Sequence, residues 1–132
     1  MVSDTRYRKK LGAWGETQAL KYLQAKGYEL LHQNYHTRHG EIDLIMQFAG
    51  QLVAVEVKTR RSHAYGIAEY SITRKKYLAI QAAMQNYLDS LPEAVTNWQI
   101  DLLVIEKQGS EQPEIIHYEN LFLDYLDEWS ET

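Results

Sequence analysis

At 132 residues, 45% hydrophobic and 24% charged, the chain has the size and apolar content of one globular domain. It contains no cysteine, which excludes a disulfide framework and a thiolate metal site. No apolar run approaches the ~18–20 residues of a membrane span, and the first residues read as an amphipathic segment with no apolar signal region, so a cytoplasmic protein without a membrane partner is expected. The net charge of −4 hides a division. Residues 1–76 hold 13 of the 14 Lys and Arg and 7 of the 18 acids, a net of +6, while the rest holds one Lys against 11 acids, a net of −10. A local basic patch is what a polyanion would meet, so the overall acidity does not exclude nucleic acid.

Residues 7–26 set Leu11, Gly15, Ala19, Tyr22 and Leu23 on one helical stripe, and Gly27 follows as a terminating glycine. Residues 28–31 read as a short strand and 32–40 as a polar loop. Two strands follow over 41–48 and 51–58, separated by Ala49-Gly50. The basic stretch 59–70 reads as an irregular loop. Thr73 is placed to cap a helix running to about residue 91, with Tyr77, Ile80, Ala83, Met84, Tyr87 and Leu88 on its apolar face. Residues 100–105 read as a buried strand and 114–118 as another, turned by Gly109, Ser110 and Pro113. An acidic stretch, 121–129, is expected to form a short terminal helix. The pattern predicts an α/β fold in one domain over 1–132, with a core from about 7 to 118 and an acidic tail over 119–132.

The hairpin 41–58 alternates cleanly. Ile42, Leu44, Met46 and Phe48 are apolar on one strand; Val53, Val55 and Val57 on the next. Both sets reach one core only if a two-residue turn at Ala49-Gly50 pairs residue 48 with 51, and burial then fixes that register. Ala-Gly is a poor pair for such a turn. Extended outward, the register sets Asp43 opposite Glu56 and Glu41 opposite Lys58, all four on the face away from the core. Like charges opposite each other destabilise a sheet, and a divalent cation between the carboxylates reverses that penalty. Mg²⁺ is commonly held by one or two carboxylates plus water and phosphate oxygens, and a metal so held activates water for phosphodiester cleavage. Lys58 is then placed to orient or deprotonate the water, or to neutralise developing charge. The competing reading is a solvated sheet face with ordinary Glu–Lys pairing.

Asp43, twelve intervening residues and then Glu56-Val57-Lys58 resemble the PD-(D/E)xK signature of the restriction-endonuclease-like superfamily. The wider pattern of Gly12-x-x-Gly15-Glu16-x-x-Ala19, Gly27-Tyr28, Asn34-Tyr35, Gly40-Glu41-Ile42-Asp43-Leu44-Ile45 and Val55-Glu56-Val57-Lys58-Thr59-Arg60 resembles the YraN family, and Gly66 and Lys76 fit it too. These bacterial proteins are of poorly defined function and are grouped with nucleases similar in fold to Holliday-junction resolvases. The resemblance covers about residues 11–105. It implies a three-layer domain with a central mixed sheet flanked by helices, Mg²⁺ (or Mn²⁺) held by Asp43, Glu56 and the Val57 carbonyl, Lys58 as catalytic lysine, and Glu16 or Glu41 as accessory acid. The proline of the superfamily's name is replaced by Ile42. Gln99 stands where the family tends to have an arginine.

The expectation is a Mg²⁺-dependent nuclease on structured or branched nucleic acid, with DNA the expected polymer; a homodimer is compatible with the sequence, which does not itself determine the assembly. Arg38, Arg60, Arg61, Arg74, Lys75 and Lys76 are expected to contact phosphates, which position a duplex without reading its sequence. His63 follows the hairpin in the same basic stretch. His32, His36 and His39 have helical spacing but lie in an expected loop, a weak zinc pattern. Two other readings stay open: a nucleic-acid-binding module without cleavage, and an assembly protein docking through its acidic tail.

Overall fold

The computed structural model describes residues 3–61, 72–109 and 112–122. Helix α1 (Ser3–Ala25) leads into strands β1 (Glu29–Thr37), β2 (Gly40–Phe48) and β3 (Gln51–Arg60). Helix α2 (Arg74–Asp89), β4 (Trp98–Glu106) and β5 (Glu114–Tyr118) follow. The five strands form one sheet in the order β1-β2-β3-β4-β5. All neighbours are antiparallel except β3 and β4, which run parallel, with α2 in the crossover between them. Among the described residues no helix is long and apolar enough to cross a membrane.

Local chemistry explains the helix ends. After α1, Gly27 takes φ 98°, the Tyr28 N–H donates to the Leu23 carbonyl and the Gly27 N–H to the Gln24 carbonyl, both at 3.0 Å. That is a Schellman motif, which glycine at C′ allows without a Cβ penalty. Thr73 caps α2 as expected, its Oγ1 accepting from the Lys76 N–H at 3.1 Å.

The sheet is covered on both faces. Val53, Val55, Leu103 and Ile105 pack with Ala19 and Leu23 of α1, while Leu52, Ala54, Leu102 and Val104 pack with Ile80, Ala83 and Met84 of α2. Successive strand residues point to opposite faces, so the helices lie on opposite sides of the sheet, in three layers. Each fully buried Leu or Ile contributes about 1.5–3 kcal/mol.

Several expectations are corrected. The polar run 32–37 is strand and not loop: β1 extends to Thr37, and only residues 38 and 39 separate it from β2. Strand β1 is a sheet edge with mostly exposed side chains, so backbone pairing to β2 forms it without a hydrophobic pattern. Thr59 and Arg60 continue β3 and are not loop. The chain also keeps packing past Tyr118. The Leu121 N–H donates to the Ile100 carbonyl at 2.8 Å, and the Tyr77 hydroxyl to the Leu121 carbonyl at 3.1 Å. Segments 62–71, with His63 and Gly66, and 123–132, with most of the expected terminal helix, lie outside the described residues.

Candidate active site

The hairpin register is the expected one where its strands pair. Phe48 faces Gln51, and the ladder continues to Leu44 opposite Val55. Ala49 and Gly50 both take positive φ, 51° and 79°, the sign that a two-residue I′ turn demands and that costs alanine conformational strain.

The register does not run on to the acids. The pairing of β2 with β3 stops at Leu44 and Val55, so Asp43 is not set opposite Glu56, nor Glu41 opposite Lys58. Past that point β2 stays paired with β1, where Glu41 faces His36, and β3 with β4, where Glu56 faces Leu102 and Lys58 faces Val104. Alternation breaks at the same place: Leu44 and Met46 pack on the α1 side, but Ile42 packs with the α2 cluster. The sheet opens between β2 and β3, and the Val57 N–H there donates to Asp43 Oδ2 at 2.8 Å. A strand residue directs its N–H and C=O to the same edge, so the Val57 carbonyl looks toward this opening too.

Glu56 does not lie on a solvated face, because Lys76 of α2 closes over it. Glu56 Oε2 lies 3.6 Å from Lys76 Nζ, and the Glu56 side chain is only 18% exposed. Glu56 Oε1 is buried with no hydrogen-bond partner. Burial, followed by the charge of Asp43, pushes the Glu56 carboxyl up to about 7, against the pull of Lys76 and then Lys58. Burial also raises Asp43, opposed first by the Val57 N–H. Glu16 is raised by burial, then by Asp43 and Glu41.

Helix α1 brings Glu16 to the same cleft, a space of about 370 Å³ lined also by Arg8, Gly12, Glu41, Asp43, Glu56, Val57 and Lys76. The helix can approach β3 because residue 15 is glycine: a Cβ there would sit 1.8 Å from Thr59 Oγ1. Gly40 plays the same part under α2, where a Cβ would meet that of Ala79 at 2.9 Å. Glu41 is an exposed rim residue paired with His36, Nδ1 to Oε1 2.9 Å. Lys58 is exposed and lines a neighbouring cleft of about 250 Å³ with Glu56, Thr73 and Lys76.

The basic residues divide. Arg38 lies in the β1–β2 turn and lines a third cleft, of about 380 Å³, with His36, His39, Glu41 and Lys76. Arg61 is exposed and stacks over the Tyr7 ring at 5.3 Å. Arg60 ends β3, its carbonyl accepting from the Lys107 N–H at 2.8 Å. Arg74 and Lys75 are exposed in the first turn of α2, which carries no acid. Three cations at the positive end of a helix dipole oppose helix stability, and Glu56 offsets the charge of Lys76. Sequence reasoning gave Lys76 a phosphate contact and missed its place beside the acids. The signal available was the Thr73 cap, which sets residue 76 in the first turn of α2.

The donor set suits Mg²⁺. Two adjacent carboxyls raised by burial, one with a bare oxygen, and a facing carbonyl match a cation that keeps several waters. Among the described residues no group of three or more His, Cys, Asp or Glu converges as a ready-made cage, so Glu16 and Glu41 stand back from the pair. Gln99 makes a structural contact: its Nε2 donates to Asp101 Oδ1 at 2.8 Å.

Comparison with known proteins agrees with the sequence pattern. The model of the uncharacterised protein family UPF0102 matches residues 15–105. A UPF0102 protein of Herpetosiphon aurantiacus is 40% identical over 89% of this chain and 97% of its own length. One from Alkaliphilus oremlandii is 44% identical over 86% and 98%, and one from Neisseria meningitidis 40% identical over 84% and 95%. YraN and UPF0102 are one family, and this chain belongs to it.

Proposed function

We propose that the protein is a Mg²⁺-dependent nuclease acting on structured or branched nucleic acid, DNA first. One observation carries the reading: Glu56 Oε1 is buried without a partner, beside Asp43, in a cleft open to solvent. Leaving such an oxygen bare costs about 1–3 kcal/mol or more, and a hard divalent cation offsets that cost.

Asp43, Glu56 and the Val57 carbonyl would hold the metal, which when bound supplies an activated water and charge stabilisation at the phosphate. The Val57 N–H fixes one oxygen of the Asp43 carboxylate, and Asp43 lines the cleft. Glu16 bears on the water from the α1 side. Lys58 stands at the rim, where the signature gives it the water-orienting role. Arg38 in the turn cleft, and Arg74 and Lys75 beside Lys76 in the first turn of α2, would hold the polyanion by its phosphates. The reading places the protein in the cytoplasm, and cutting both strands calls for two copies related by a two-fold axis.

The test is Mn²⁺ titration of wild type and Asp43→Ala, with labelled single-stranded, duplex and branched DNA followed in parallel. Wild type should bind metal and cut one substrate class, and Asp43→Ala should do neither. A wild type that shifts DNA but never binds metal or cuts would sink the nuclease reading and leave a binding module.

A further inference from the structure

Two lysines border the acids, and they are not equivalent. Lys58 follows Glu56 in the signature, yet its side chain is exposed, and it does not line the cleft that holds Asp43, Glu16 and Glu41. Lys76 lines that cleft, the Lys58 cleft and the β1–β2 turn cleft alike. Its ammonium is the one paired with Glu56, at 3.6 Å. Its backbone is fixed, because the Thr73 side chain accepts from its N–H. Its side chain remains 41% exposed, so the tip can move while the base cannot.

We propose that Lys76 is a resident counter-cation: it neutralises Glu56 in the metal-free protein, yields that carboxylate to the divalent cation, and then pairs with a substrate phosphate lying toward the Arg38–His39 turn. The inference rests on the metal-nuclease reading and adds to it which lysine exchanges partners. The charges require the exchange. An ammonium and a divalent cation on one carboxylate repel, and a long flexible stem lets the ammonium leave cheaply. The turn cleft is the neighbouring space the stem borders; it is lined by Arg38, His36, His39 and Glu41, and because His36 already pairs with the Glu41 carboxylate, the Arg38 guanidinium is the charge it offers a phosphate.

The experiment titrates Mn²⁺ into wild type, Lys76→Met, Lys76→Arg and Lys58→Met by calorimetry at pH 8, without nucleic acid. Removing the competing charge should tighten Mn²⁺ binding of Lys76→Met about fivefold. Lys76→Arg and Lys58→Met should stay within about twofold of wild type. The second readout is the salt dependence of DNA binding. With Ca²⁺ present, Lys76→Met should lower the slope by about one counterion. In EDTA, where the ammonium is engaged with Glu56, the slope should not change. A merely structural lysine moves neither quantity in this metal-dependent way. Unchanged Mn²⁺ affinity in Lys76→Met, or tightening by Lys58→Met instead, overturns the proposal while leaving the nuclease reading intact. A wild type that shows no Asp43-dependent Mn²⁺ binding removes both. A wild type that binds Mn²⁺ and cuts nothing removes only the nuclease reading, and the Lys76 exchange is then decided by its affinity shift. Thermal melts of each variant check that all are folded, and Lys76→Gln serves as a second charge-removing variant.

Discussion

Two carboxyl groups are buried in the same sheet with opposite outcomes. Asp101, on β4, is fully enclosed and fully answered. It accepts from Gln99 Nε2 at 2.8 Å and from the Asn120 N–H at 2.9 Å, and pairs with His117 Nε2 at 2.8 Å. His117 in turn meets Lys26 Nζ through Nδ1 at 3.1 Å. Glu56, on β3, is less deeply enclosed, yet its Oε1 has no hydrogen-bond partner and its Oε2 pairs with the half-exposed Lys76 ammonium. A buried carboxyl with both oxygens bonded holds a structure together; one with an oxygen left bare is available to a ligand. The difference between them separates the scaffold of this protein from its chemistry.

The largest effect should come from breaking the satisfied site. Asp101→Ala leaves the buried His117 ring and the Asn120 N–H without their acceptor, and should cost about 3 kcal/mol or more, read as a lowered urea midpoint. Asp101→Asn, which keeps oxygen and shape, should cost clearly less. If both are silent, the cluster does not hold the β4–β5 end together and the comparison fails.

The next effect belongs to the bare site and has the opposite sign. Glu56 rises from 4.5 to about 7 on folding. Between those values the folded state binds more protons than the unfolded one, so stability falls as pH rises through that window. Metal-free protein should be roughly 2–3 kcal/mol more stable near pH 5 than near pH 8, at 1.36 kcal/mol per unit. Glu56→Gln should flatten that dependence. Mg²⁺ at a hundredfold its dissociation constant should return about 2.7 kcal/mol at pH 8 to wild type, and nothing to Glu56→Gln. Melting curves across pH, with Mg²⁺ or EDTA, measure all three.

A smaller effect is expected where α1 closes on β3. Gly15→Ala drives a methyl into Thr59 and should cost about 1–3 kcal/mol, while also displacing Glu16 from the cleft. Metal affinity that survives this shift unchanged would show that Glu16 has no share in the site. The smallest effect lies at the rim. His36 and Glu41 are 68% and 48% exposed, and an exposed pair contributes no more than about 1 kcal/mol. His36→Ala should leave the melting temperature nearly unchanged, which makes Glu41 the exposed contrast to both buried acids.

Much of the scaffold was legible because local rules set it. Thr73 caps α2, Gly27 ends α1, and the two-residue turn pairs Phe48 with Gln51 as alternation requires. The edge strand β1 was not legible past residue 31, because exposed side chains carry no apolar period and its hydrogen bonds come from β2. Asp43, Glu56 and Glu16 were named from pattern and do share one cleft. Extending the hairpin register to pair Asp43 with Glu56 overran the point where β2 and β3 part. Lys76 was named for a phosphate contact with its pairing to Glu56 unseen, and the Asp101–His117–Lys26 chain escaped notice, since 91 residues separate Lys26 from His117.

What the sequence determined by itself is what short-range chemistry encodes: helix caps, strand periods, the turn, the family and the identity of the acids. The tertiary structure decided which of those acids are satisfied. Burial and hydrogen bonding depend on every neighbour brought close by folding, and the neighbours of Glu56 and Asp101 come from helices and strands remote in the chain. Only their assembly leaves one carboxyl fully bonded and the other with an oxygen to offer.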